Sequence, residues 1–236
     1  MPPPPASLSV LVPIYNERAT IERLLNAVVS VQTGLTVEVL ACDDGSTDGT
    51  REILSALKLP GLKVIFMDEN VGRGGVIKHL WTIATGDIFI HQDADLEYDP
   101  RDYLPMLEPL LANRADVVYG SRFKGSIEGM RWLNRMGNLT MTGAARVLYG
   151  VQVTDLMTCY KMYRSSLIRH MHIAANGFDF EAEFTARLAQ RGARFAEVPV
   201  SFSGRTFEEG KKIRAFDAVR VMRELVRCKV TGEAHG

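Results

Sequence analysis

The sequence predicts an α/β protein built on a mainly parallel sheet with helices on both faces. Two observations carry this reading. Short apolar runs alternate with segments of helical periodicity, and most of the runs end in a polar or glycine-containing turn. The chain has 236 residues, 46% hydrophobic and 24% charged, enough for one α/β domain, with or without an appendage, and ordinary for a soluble globular protein.

The elements follow in order. LSVLVPIY reads as a buried strand stopped by Pro13, and the next helix has Thr20 as N-cap with Ile21, Leu24, Leu25, Val28 and Val31 on one face. TVEVLACDDGS is a second strand breaking into a loop, and a helix near Thr50 to Lys58 leads to the strand LKVIFM. ENVGRGGVIKHLWTIA is a glycine loop running into a helix, DIFIHQDAD is a strand, a helix spans about Tyr103 to Leu111, and ADVVYGSR is another strand. Beyond Arg122 the alternation is less regular. It holds a helix over about Met130 to Tyr149, the segment TDLMTCYKMY, a helix over Phe180 to Gln190, the strand RFAEVPVSF, and a basic helix over Ala215 to Lys229.

In parallel α/β sheets, ligands lie beyond the carboxyl ends of the strands. PIYNE, CDDGS, ENVG, QDADLE and YGSR all fall there, so their polar residues are expected in one crevice. Asp93, Asp95 and Glu97 follow an apolar strand closely enough to repel one another, which suits a hard divalent cation with oxygen ligands and open positions for phosphates. Asp43 and Asp44 close another strand, where a carboxylate can accept from a base N–H or a ribose hydroxyl. On its own, that segment is more simply an Asx turn with a helix cap at Thr47 or Asp48.

Other classes are disfavoured. NVGRGG matches neither GxGxxG nor GxxxxGK[ST], so its glycines serve a tight turn and close backbone approach, not a dehydrogenase or P-loop fold. His170 and His172 read as a solvated helix end, and Cys42, Cys159 and Cys228 as three reduced thiols of a cytosolic protein. MPPPPAS lacks the basic and apolar regions of a signal peptide, and no apolar run approaches the roughly 20 residues of a spanning helix. The formal charge is zero, yet Arg205 to Lys229 holds eight basic residues against four acidic, and Arg122 to Tyr149 five against one. Two basic segments against an acidic body point to an anionic partner.

VPIYNE, DDGSTDGT, DADLEYDP, GSRF, TDLMTCYKMYR and SGRTFEEGKK together resemble the family 2 inverting glycosyltransferases, most closely the dolichol-phosphate mannose synthase-like, polyprenyl-phosphate branch. The resemblance covers about Leu8 to Lys229. It implies a glycosyltransferase-A fold, a UDP- or GDP-linked sugar donor and Mg²⁺ or Mn²⁺. Pro13, Tyr15, Glu17 and Asp44 would hold the nucleoside, and Asp93, Ala94 and Asp95 would sit at the diphosphate. Asp93, Asp95 and Glu97 would be the metal set, with Glu97 where relatives often carry Gln. Arg205 with Lys211 or Lys212 would close over the phosphates, and Arg122, Arg131 and Arg135 would face the acceptor. Met157 stands where many relatives carry a polar residue. The implied organisation is a tail at 1–7, a catalytic domain at 8–204, a basic closing loop and amphipathic interfacial helix at 205–229, and a tail at 230–236.

The expected chemistry is attack by a polyprenyl phosphate on the sugar, since a phosphate monoester oxygen is already anionic near neutrality and no obvious general base follows Arg122. A soluble or saccharide acceptor, a sugar nucleotidyltransferase and a lipid-headgroup-binding protein are the alternatives; nucleic acid is not an expected partner. The helical row Phe216, Val219, Met222, Leu225 and Val226 beside Arg220, Arg223 and Arg227 suits a membrane surface, as do Trp132, Leu133, Met136 and Leu139 beside Arg131 and Arg135. The alternative for the C-terminal helix is a surface helix packed on the core. The expected location is cytoplasmic, peripheral at the inner face of the membrane.

Overall fold

The structure, a computed structural model, describes residues 5–130, 132–204 and 215–232. The seven-stranded sheet consists of β1 (Ser7–Ile14), β2 (Thr36–Asp43), β3 (Leu62–Phe66), β4 (Ile88–His91), β5 (Val117–Ser121), β7 (Lys161–Arg164) and β8 (Phe195–Pro199), in the order β3-β2-β1-β4-β7-β5-β8. All neighbours are parallel except β7, which runs antiparallel to both β4 and β5. A two-stranded ribbon pairs β6 (Ile127–Glu128) with β9 (Phe202–Ser203). The helices are α1 (Ile21–Val29), α2 (Thr50–Ala56), α3 (Arg73–Ile83), α4 (Tyr103–Leu111), α5 (Trp132–Tyr149), α6 (Phe180–Gln190) and α7 (Ala215–Thr231).

Alternation along β1 divides the core. Leu8, Val10, Val12 and Ile14 pack on the face with residues of α1 and α4, while Leu11 packs opposite with residues of α3, α5, α6 and α7. The strand does not stop at Pro13 but pairs it with Cys42 and runs on to Ile14. The Leu11 carbonyl accepts from Gln92 N–H toward β4, and the Ile14 carbonyl accepts from Asp44 N–H toward β2. Pro13 therefore aims its nitrogen toward β4, past the last β1–β4 pair, Leu11 with His91, where no ladder bond needs an N–H. At the start, the N–H groups of Ala6 and Ser7 donate to Asp87, which orders residues expected to be tail.

The segment TDLMTCYKMY holds β7, a strand not resolved from the sequence because only Met162 and Tyr163 stand between the charged Lys161 and Arg164. Thr20 stands at the α1 N-cap position, but its hydroxyl donates to Glu17 instead of capping. On α7, Val221, Leu225 and Cys228 are buried against α5 and α6, and Met222 joins them in part. The row expected at a membrane is thus divided: Leu225 and Met222 serve the core, while Val219 and Val226 are exposed. The helix runs two residues beyond its expected end. No described helix is long and apolar enough to cross a membrane.

Candidate active site

The loops after β1, β2, β3 and β4 meet at the carboxyl ends of the strands, as the alternation predicts. The first two are zipped together: Asn16 N–H donates to Ser46 Oγ at 2.8 Å, Thr47 N–H to Asn16 Oδ1 at 2.9 Å, and Glu17 N–H to Thr50 Oγ1 at 3.0 Å. Asn16 takes the left-handed conformation, φ 55°, that this crossing requires. Pro13 and Glu17 are buried beside this junction, and Tyr15 is exposed.

The two aspartates of CDDGS divide their work. Asp43 accepts from Ser46 N–H at 3.1 Å, the Asx turn, while Asp48 rather than Thr47 bonds the first turn of α2 through Thr50. Asp44 reaches across to the next loop, where its two oxygens accept from Val71 N–H at 2.7 Å and Gly72 N–H at 3.0 Å. Burial raises the Asp44 carboxyl above the usual range, although those two N–H bonds oppose it. The glycines of NVGRGG do what was expected of them. Gly72 has φ 83°, and a Cβ on Gly74 would stand 2.8 Å from the Phe180 Cβ, so α3 approaches α6 closely.

At the end of β4, Asp93 accepts from Arg73 Nε at 2.8 Å. Burial pushes the Asp93 carboxyl up, but Arg73, the Cys159 thiol and Lys161 outweigh it and hold it below the ordinary range. Asp95 accepts from Glu97 N–H at 3.1 Å across a turn in which Leu96 is left-handed. Asp93, Asp95 and Glu97 do not bring one oxygen each within 4.8 Å of one another; among the described residues that convergence occurs only at Glu183, Glu224 and Cys228. There Arg187 and Arg227 already neutralise the acids. Asp93 and Asp95 offer carboxylate oxygens, the ligand type that a hard cation takes. Glu97 does not complete a preformed three-acid cage.

At the end of β5, Arg122 makes a two-bonded ion pair with buried Asp155 and lies 5.1 Å over the Phe202 ring. Asp155 also accepts from Asn138 on α5, and Glu197 accepts from the N–H groups of Thr154 and Asp155. Arg135 is exposed, 5.7 Å over the Phe123 ring. Arg131, Arg205, Lys211 and Lys212 lie outside the described residues.

Arg73, Asn138, Asp155, Lys161, Glu181 and Glu197 escaped the sequence reading. The signal for Asp155 and Lys161 was present, since both are charged residues inside the quoted TDLMTCYKMYR. A concavity of about 660 Å³ lined in part by Lys78, Trp81, Arg169, His170 and His172 lies at the opposite end of the sheet, beside Gly86 and Ser165, and takes no part in this cluster.

The chain is 33% identical over 201 residues to the dolichyl-phosphate hexose transferase of Haloferax volcanii, covering 85% of each. It is 29% identical over 215 residues to the undecaprenyl-phosphate mannosyltransferase of Micrococcus luteus, again 85% of each. Among solved structures, glucosyl-3-phosphoglycerate synthase from Mycobacterium tuberculosis, in complex with Mn²⁺, UDP and glucosyl-3-phosphoglycerate, superposes with a TM-score of 0.72 at 20% identity, over 97% of this chain and 82% of that one. It shares the glycosyltransferase-A fold. Residues 9–171 match Glycosyl transferase family 2, and the chain belongs to that family of glycosyltransferases.

Proposed function

We propose that this glycosyltransferase moves a hexosyl group, with inversion, from a UDP- or GDP-linked sugar to a polyprenyl phosphate at the cytoplasmic face of a membrane. The observation that carries the reading is the presentation of Arg122. Its guanidinium is held at the carboxyl end of β5 by Asp155, and that acid is committed to the ion pair and to Asn138. The site therefore offers a cation for an anionic acceptor, and the acid in contact with it is unsuited to take a proton. A phosphate monoester needs no base, because its second pKa is about 6. The relatives named above act on dolichyl and undecaprenyl phosphates.

In this reading an acceptor phosphate oxygen bonds to the anomeric carbon from the face opposite the leaving group. The carbon–oxygen bond to the nucleoside diphosphate breaks with its electron pair on the β-phosphate, and no proton changes hands. Pro13, Tyr15, Glu17 and Asp44 hold the nucleoside. Asp93 and Asp95 would hold Mg²⁺ or Mn²⁺, which would supply charge neutralisation at the diphosphate. Arg205, with Lys211 or Lys212, donates charge-assisted hydrogen bonds to the leaving diphosphate. Arg122, Arg131 and Arg135 receive the acceptor phosphate, and Ala94 sits with the two acids at the diphosphate.

The test supplies labelled UDP- and GDP-hexoses, Mn²⁺ or Mg²⁺, and a polyprenyl phosphate in detergent. Label should move to the organic phase as an acid-labile glycosyl phosphate of inverted configuration. Transfer to a soluble saccharide with none to the lipid phosphate would overturn the acceptor assignment.

A further inference from the structure

We infer that Lys161 is a positioning residue that fixes the donor-side acid Asp93 and the acceptor-side Arg122 relative to one another. The inference rests on the donor and acceptor sides proposed above. Those sides stand on β4 and β5, which are not neighbours in the sheet; β7 lies between them. Because β7 is antiparallel to both, its first residue, Lys161, sits beside the carboxyl ends of the flanking strands, where it pairs with Tyr119 of β5. An antiparallel insertion is the arrangement that delivers the start of a strand to this level of the sheet.

The Lys161 side chain is 0% exposed, and all three ammonium donors are used. One arm runs to the donor side: Nζ pairs with one Glu181 oxygen, the other Glu181 oxygen pairs with Arg73, and Arg73 Nε donates to Asp93 at 2.8 Å. The second arm runs to the acceptor side. Nζ donates to the carbonyls of Leu156 at 3.0 Å and Thr158 at 2.5 Å, in the loop that holds Asp155, the partner of Arg122. That loop is held from its other side by Thr142, which accepts from Leu156 N–H, and by Asn138. The ammonium also lies 4.8 Å over the Tyr119 ring.

Four charges alternate along the first arm, Lys161, Glu181, Arg73 and Asp93, with Lys161 and Glu181 essentially removed from water. Desolvating such a chain costs more than packing apolar side chains of the same volume, so stability alone does not account for it. A rigid, fully satisfied lysine between two half-sites does: transfer requires the donor carbon and the acceptor oxygen in line, and a shift of about 1 Å costs about 10²-fold in rate.

The experiment compares the wild type with Lys161→Met/Glu181→Leu, which replaces the buried pair by apolar groups, and with Glu181→Asp, which keeps the charge but is too short to meet both cations. The double variant should melt within a few degrees of the wild type. Its turnover at saturating donor and polyprenyl phosphate should fall by about 30-fold or more, with the donor KM changed less than about threefold, because misplacement acts on the transition state rather than on binding. Glu181→Asp should fall in between. A folded double variant turning over within about threefold of the wild type overturns the inference, a comparison read on the scale of the misplacement penalty. Failure of both variants to fold also overturns it, by making the pair a requirement of the fold alone. The wild-type arm separates the two readings: no transfer to lipid phosphate by the wild type removes the proposed function, whereas equal transfer by wild type and variants removes only the role of Lys161.

Discussion

Arg122 and Asp155 are joined by two parallel bonds, Nε to Oδ2 at 2.7 Å and Nη2 to Oδ1 at 2.8 Å, and the Arg122 backbone N–H adds a third at 3.1 Å. Asp155 is fully buried, so the pair is a fixed fork rather than a surface contact. Asp155→Asn keeps the shape but leaves a desolvated guanidinium without its counter-charge. It should cost about 3 kcal/mol of stability, as breaking buried pairs does. Denaturant unfolding measures this. In the folded fraction the KM for the acceptor should rise by more than that for the donor, since the pair holds Arg122, which the proposed function places on the acceptor side.

The same pair makes stability depend on acid. Burial pushes the Asp155 carboxyl up, but Arg122 and Asn138 outweigh it and hold it below the usual aspartate range. A carboxylate depressed in the folded state contributes in full above its unfolded value, about 3.9, and loses that contribution as pH falls through the folded value. The urea midpoint of the wild type should therefore drop as pH is lowered below about 4. The Asp155→Asn protein should show a shallower drop over that window. Parallel curves would remove Asp155 as the group responsible.

Asp95 stands at the turn after β4 and accepts a hydrogen bond from Glu97 N–H that an asparagine side-chain oxygen can also accept. Asp95→Asn should therefore fold and melt like the wild type. It removes a negative ligand from a hard cation, so calorimetric binding of UDP or GDP should lose its dependence on Mn²⁺, and transfer should fall by about 10²-fold or more, the scale of losing a stabiliser of leaving-group charge. Unchanged Mn²⁺ dependence would show that the cation binds elsewhere.

These outcomes also mark how far the sequence could be read. The parallel frame was legible because each of its strands carries at least three apolar residues close together with a turn after them, and the crevice followed from where those turns lie. β7 was not, because its buried lysine looks like a loop residue until Glu181 supplies its counter-charge from a helix 20 residues away. Partners such as Arg73 for Asp93 and Asp155 for Arg122 are also separated, by 20 and 33 residues, and no local pattern encodes them. Pro13 misled in the other direction. It breaks a strand only where its nitrogen faces a partner, and at the end of β1 the partner strand has already stopped.

The membrane reading now has two separable parts. On α5, Asn138, Met141, Thr142 and Ala145 face inward, while Trp132 is 70% exposed and Leu133, Met136 and Leu139 are exposed with it, next to Arg135. Aromatic and aliphatic side chains beside a cation suit the headgroup boundary, where they bury without desolvating the charge. On α7, Arg220 and Arg223 are exposed, but Arg227 is bound to Glu183 and Glu224, so reversing it would damage the α6–α7 contact. The informative variants are Trp132→Glu with Leu133→Glu and Met136→Glu on one helix, and Arg220→Glu with Arg223→Glu on the other. Flotation with anionic liposomes should show the wild type bound at low salt and released in part as salt rises. The α5 variant should lose binding at every salt concentration, because its contribution is apolar burial. The α7 variant should lose the salt-sensitive part, about 1 kcal/mol for each cation removed near an anionic leaflet. If both variants float as the wild type does, neither helix meets the membrane, and the enzyme must reach a lipid phosphate by another surface.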